Sequence, residues 1–211
     1  MNLLLFGKPG AGKGTQAPRL AAVLEVPTLA TGDVLRQAVR DGTPLGRKAK
    51  EYMERGDLVP DDVILGIVGE ALAKPEYQRG VILDGVVRTV PQAEGLKKVL
   101  GGLQRKLDAV LSFEIDNDEI VQRLSGRTVC EKCQTPYTGR SAGETCDKCG
   151  GTLVRRKDDE PDAIRNRLTV YGQQTAPVFD WYSRNGTRLA SVLAVGTVEE
   201  VTKRALKALG R

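Results

Sequence analysis

The chain has 211 residues, 40% of them apolar and 28% charged, which suits one substantial soluble core carrying small insertions. Its net charge of +5 favours anionic ligands without separating nucleotides from nucleic acid, while an aromatic content of 4% argues against an RNA-binding sheet of stacked rings. No apolar run approaches the length of a bilayer span and no signal-peptide pattern opens the chain, so a cytoplasmic protein with no membrane partner is expected.

The first element is an apolar run, Leu3 to Phe6, suited to a strand buried on both faces. A loop with Gly7, Gly10, Gly12 and Gly14 follows, and Ala17, Leu20, Ala21 and Leu24 then recur at helical spacing from about Lys13. Strand, glycine loop and helix in this order form a phosphate-binding loop. Backbone N–H groups converge on the anion, the helix N-terminus adds partial positive charge, and Lys13 adds a full one. The pattern Gly-x4-Gly-Lys is met, but Gly14 takes the usual hydroxyl position and Thr15 follows one residue later.

Pro27 to Ala30 reads as a short second strand, and Thr31 as the N-cap of a helix with Val34, Leu35, Ala38 and Val39 on one face. Asp41 to Pro44 breaks that helix. A second runs from about Leu45 to Arg55, and Gly56 to Val59 connects to a third that opens at Pro60, with Ile64, Ile67, Val68, Ala71 and Leu72 inward. Val81 to Leu83 is a strand ending at Asp84, Pro91 to Leu100 a helix, and Ala109 to Phe113 a strand. Asp116 to Gly126 is a helix with Ile120, Val121 and Leu124 inward. Residues 127–159 lose this rhythm. Glu160 to about Arg184 reads as one long helix, Leu189 to Val195 as the last strand and Val198 to Leu209 as the last helix. Five apolar strands separated by helices imply an α/β fold with a parallel sheet covered on both faces. The interruptions at about 31–59 and 127–159 are placed at the edge where such sheets bind ligands.

Three constellations carry chemistry. Asp84, at the end of a strand beside the phosphate loop, is placed either to hold Mg²⁺, directly or through water, or to cap a helix. Arg36, Arg88, Arg123, Arg127, Arg156 and Arg167 gather around the two interruptions. They are either solvated charges or forks around an anion, the arrangement that phosphoryl transfer needs as charge spreads over the moving group. Cys130-x2-Cys133 and Cys146-x2-Cys149 have the spacing of a structural four-thiolate zinc site, and two disulfides are the competing reading, which a reducing cytoplasm disfavours. The chain has no histidine, so any chemistry runs without an imidazole base.

Taken together these segments resemble the adenylate kinases, in their long bacterial form with a zinc-bearing lid. The resemblance spans nearly the whole chain. It is carried by Gly7 to Gln16, by Thr31-Gly-Asp-Val-Leu-Arg36, Gly56 to Pro60 and Asp84 to Gln92, and by Arg123-Leu-Ser-Gly-Arg127, Arg156 to Asp159 and Arg165-Asn-Arg167. It implies a P-loop three-layer fold with a core of residues 1–29, 60–125 and 160–211, a helical NMP-binding insertion at 30–59 and a zinc-knuckle lid at 126–159. It also implies reversible transfer from MgATP to AMP, giving two ADP and keeping adenine nucleotides in balance, by a monomer that binds no nucleic acid. Lys13, Arg88, Arg123, Arg156 and Arg167 would be catalytic. ATP would meet Gly10, Ala11, Gly12, Lys13, Gly14, Thr15, Arg123, Arg127, Pro136, Tyr137, Gly196 and Val198. AMP would meet Thr31, Arg36, Asp57, Leu58, Val59, Gly85, Val86, Val87, Arg88, Gln92, Arg156 and Arg167, and Asp84 would reach Mg²⁺ through water.

Three positions depart from the family pattern. Val86-Val87 stands where Phe-Pro is usual, Asp57 where Glu or Lys is common, and the lid linker is shorter than in related zinc-lid enzymes. A pyrimidine monophosphate kinase, and a P-loop protein whose zinc ribbon binds nucleic acid, are the alternative readings. Thr31 and the lid argue against the first. The interleaving of Lys132, Arg140 and Lys148 with Glu131, Glu144 and Asp147 argues against the second.

Overall fold

The computed structural model describes residues 1–211. Five parallel strands form the central sheet in the order β2-β3-β1-β4-β8: β1 Asn2–Gly7, β2 Thr28–Ala30, β3 Val81–Asp84, β4 Ala109–Glu114 and β8 Leu189–Leu193. Alternate residues of the apolar runs serve opposite faces. Leu4, Phe6, Leu83 and Val110 join one core, and Leu3, Leu5, Ile82, Leu111 and Phe113 the other, as a doubly covered sheet requires.

The first core is closed by helices α2 Thr31–Arg40, α3 Pro44–Arg55, α4 Asp61–Leu72, α5 Val90–Gly102 and α8 Ala176–Arg184. The second is closed by α1 Lys13–Leu24, α6 Asn117–Ser125, α7 Pro161–Val170 and α9 Val198–Ala208. Between α6 and α7 lies a separate antiparallel sheet, β6-β5-β7, made from β5 Arg127–Cys130, β6 Pro136–Thr138 and β7 Leu153–Val154. No helix is long and apolar enough to cross a membrane.

Several local expectations are corrected. Thr31 does not cap α2. It is the first helical residue, Ala30 is the cap, and the Thr31 hydroxyl donates instead to Gly85 O at 2.8 Å. Pro60 is likewise the cap of α4 rather than its first residue. Val121 and Val34 face solvent, 43% and 36% exposed, while their neighbours Ile120, Leu124 and Leu35 fill the core. Arg127 lies past the end of α6, on β5, so it does not share a helical face with Arg123. The long helix expected from Glu160 is interrupted by a π-turn, Tyr171–Thr175, between α7 and α8. Pro177 has no N–H to donate to the carbonyl of Gln173, so the regular ladder cannot run through this turn.

Candidate active site

A cleft of about 870 Å³ opens at the carboxyl edge of the sheet. Its floor is the glycine loop between β1 and α1. Gly12 caps α1 in a left-handed conformation (φ 91°) that leaves the first N–H groups of the helix without a side-chain cap. Orphan helix donors of this kind suit an anion. A methyl group on Gly14 would stand 3.5 Å from Asp84 Oδ2, an ordinary contact distance, so this position of the loop lies directly beside the carboxylate.

Seven cationic side chains and three carboxylates line the cleft. Lys13 donates to Gly7 O at 2.6 Å and Lys8 O at 2.9 Å. Burial pulls its pKa down to about 8, against the pull of Asp84, and Arg88, Arg167 and Arg127 push the same way as burial. Burial raises the pKa of Asp84, whose charge is answered only through space, chiefly by Lys13. Arg88 falls to about 10, again through burial first and then through Arg167. Arg156 falls to about 9 through burial, Arg36 and Arg127. Cations packed so that each depresses the next favour an anion among them.

Two of these guanidiniums have an unmet need. Arg36 Nε and Arg156 Nε are buried without a hydrogen-bond partner. Arg36 is otherwise paired with Asp33. A charged donor left unpaired in a protein interior is costly, and phosphate oxygens would satisfy both.

Two carboxylates brace the arginines. Asp159 takes a bidentate pair from Arg127 at 2.6 and 2.7 Å and a further bond from Arg167 at 2.9 Å. Arg167 also donates to Asp158 O at 2.8 Å. Burial alone would raise Asp158, but Arg167 and Arg156 hold it below the usual carboxylate range. Arg123 pairs with Glu119 at 2.9 Å. The segment 31–59 meets the other side of the cleft through Lys157–Glu54 at 3.2 Å and through Asn166, which donates to Asp57 Oδ1 at 2.7 Å and Arg55 O at 2.9 Å.

The loop residues 10–15, Arg123, Arg127, Pro136, Tyr137, Gly196 and Val198 all line the cleft, as do Arg36, Leu58, Gly85, Val87, Arg88, Arg156 and Arg167. Thr31, Val59, Val86 and Gln92 lie buried behind its lining, and Asp57 is engaged by Asn166. Val86 is packed wholly into the core with Val87 beside it. Val198 O already accepts from Gln16 at 2.9 Å and Thr202 at 2.8 Å.

A family model described as Adenylate kinase matches residues 5–187. A protein named adenylate kinase from Gemmatimonas aurantiaca is 63% identical over 211 residues, which cover 99% of each chain. The chain belongs to the adenylate kinase family. Proteins of that name from Syntrophotalea carbinolica and Trichlorobacter lovleyi are 47% and 49% identical, covering 100% and 99% of this chain and 99% of their own.

An adenylate kinase moves the γ-phosphoryl group of ATP, taken as its magnesium complex, to AMP and forms two ADP. The absence of histidine is consistent with that chemistry, because a phosphate acceptor with a second pKa near 6 is already an oxyanion at pH 7. The bracing carboxylates Asp158 and Asp159 and the π-turn residues Tyr171 and Thr175, which line or support the cleft, are ones that motif reading missed. Thr175 holds Arg88 O at 2.8 Å across 87 residues of sequence, and nothing local announces it. The Arg-Lys-Asp-Asp run at 156–159 is the one signal that could have found the first pair.

The four cysteines are free, and their sulfurs lie within 4.8 Å of one another. Cys130–Cys149, Cys133–Cys146 and Cys146–Cys149 are 3.5, 3.6 and 3.8 Å apart. Four sulfurs each about 2.3 Å from a tetrahedral zinc would be separated by about 3.8 Å, so the donor set fits that ion.

Proposed function

We propose that the cleft performs phosphoryl transfer from ATP to AMP by positioning and charge neutralisation, with the ATP phosphates on the loop 10–15 and the AMP phosphate among Arg36, Arg88, Arg156 and Arg167. The observation that carries this reading is the pair of buried, unpartnered guanidinium N–H groups, Arg36 Nε and Arg156 Nε, in a cleft with an excess of cations. Lys13 turns from the loop carbonyls to the β- and γ-phosphates. Arg123 and Arg127 hold ATP with Pro136 and Tyr137, and Gly196 and Val198 meet its adenine through the backbone. Arg88, Arg156 and Arg167 follow the moving group, held in place by Asp158, Asp159 and Thr175. Asp84 is the residue that would hold, through water, the Mg²⁺ that accompanies ATP, and that ion would supply neutralisation of phosphate charge.

Segment 30–59, with Thr31, Asp57 to Val59 and Gln92 of the core, forms the acceptor site, while residues 126–159 are a lid that zinc holds in shape. The protein acts as a cytoplasmic monomer on ATP, AMP and ADP, without nucleic acid. Gly85 to Val87 bring backbone and small side chains to the acceptor; Val86, buried in the core, gives the base little apolar surface, so KM for AMP is expected to be high. The test is kcat/KM for AMP, CMP, UMP and GMP with MgATP. AMP should lead by about tenfold or more; equal rates with CMP or UMP would replace this reading by a pyrimidine monophosphate kinase.

A further inference from the structure

The buried amide of Gln92 is held by two partners of fixed polarity. Its Nε2 donates to Asp61 Oδ1 at 2.7 Å, and its Oε1 accepts from the Arg88 backbone N–H at 2.7 Å. A carboxylate only accepts and a backbone N–H only donates, so the amide has one permitted orientation. Turned over, it would set oxygen against the Asp61 carboxylate and N–H against N–H. Asp61 is itself held by the Thr89 hydroxyl, which donates to it at 3.1 Å and also accepts from Gln92 N as the cap of α5. One N–H and one lone pair of the amide remain unspent.

We infer that Asp61 is a positioning residue for base selectivity: by pinning the Gln92 amide, it prevents the flip that would admit a 6-oxopurine monophosphate. The inference rests on the proposed role of Gln92 in the acceptor site. Adenine presents an acceptor at N1 beside a donating 6-amino group, whereas hypoxanthine presents a donor at N1 beside an accepting oxygen. A base anchored by its own ribose and phosphate cannot turn to suit the amide. An amide free to flip matches either edge; a pinned one matches one edge and leaves the other unpaired.

The test compares kcat/KM for AMP and inosine monophosphate, with MgATP, in the wild type, D61N, D61S and Q92L. Asparagine can donate or accept, and serine loosens the contact, so either frees the amide. The AMP preference should fall about tenfold in D61N and D61S, with KM for ATP unchanged, a split that general loss of structure would not give. An unchanged preference in either folded variant, together with a collapsed preference in Q92L, overturns the role of Asp61 and leaves Gln92 as reader. An unchanged preference in Q92L overturns the Gln92 reading itself. The unmodified protein supplies a readout that needs no variant: the Gln92 side-chain amide protons should exchange slowly with solvent, and exchange as fast as in exposed glutamines would contradict the pinning.

Discussion

Lys13 is the residue whose ionisation the cleft controls most visibly. Burial sets its pKa near 8, below the ordinary 10.5, and ATP phosphates beside it would favour the charged form and raise it again. At pH 7 the amine is already protonated in the free protein, so its contribution to proton uptake is small. As pH rises through 8 the free amine loses its proton and binding must restore it. Calorimetry in buffers of different ionisation enthalpy should therefore show ATP binding taking up a proton near pH 8.5, with affinity falling above pH 8 and both effects absent in K13M. Arg167 gives a second prediction. Its Nη1 contacts Asp158 and Asp159 while the guanidinium lines the cleft, and R167K keeps the charge but loses the planar group that can hold those carboxylates and a phosphate at once. The fall in kcat should be about 10²-fold or more, with a near-normal kcat counting against a transfer role. At this scale the cationic residues were legible in the sequence because arginine and lysine declare their chemistry. Their carboxylate and hydroxyl supports were not. Thr175 reaches Arg88, and Asp61 reaches Gln92, only through tertiary packing.

Elements explain how those side chains are brought to one place. The strands were legible as apolar runs, and four of the five end where the glycine loop, α2, Asp84 or Gly196 begin the cleft. The separate sheet between α6 and α7 was not. Its strands, such as Arg127–Cys130 and Pro136–Thr138, mix charged and polar residues into what would have to be an apolar run, and the sulfur cluster behind them supplies a core that hydropathy cannot register. This makes the metal a structural prediction. Elemental analysis after gentle purification should give about one zinc per chain, and chelation should lower the thermal midpoint without removing any cleft arginine; under about half an equivalent of metal would count against it. Gly56, which joins α3 to the connector, has φ +79°. A Cβ there would stand 2.7 Å from Arg167 Cγ and 2.8 Å from Ala163 O. G56A should therefore destabilise the protein by about 1–3 kcal/mol in denaturant melts and raise KM for AMP, because segment 31–59 could no longer seat against α7.

The whole molecule is a sheet whose carboxyl edge gathers positive charge from segments far apart in sequence, and whose insertions meet across the opening. A cluster of cations with no histidine has one chemical use that fits all of it: neutralising phosphates that must be brought together while water is kept from the moving group. Its direct test is a phosphorus NMR time course with MgATP and AMP. The account predicts two ADP formed for each AMP consumed, with inorganic phosphate staying below about one part in a hundred of the ADP and ATP left intact when AMP is omitted. Phosphate released in step with ADP, or ATP consumed equally fast without AMP, would contradict it.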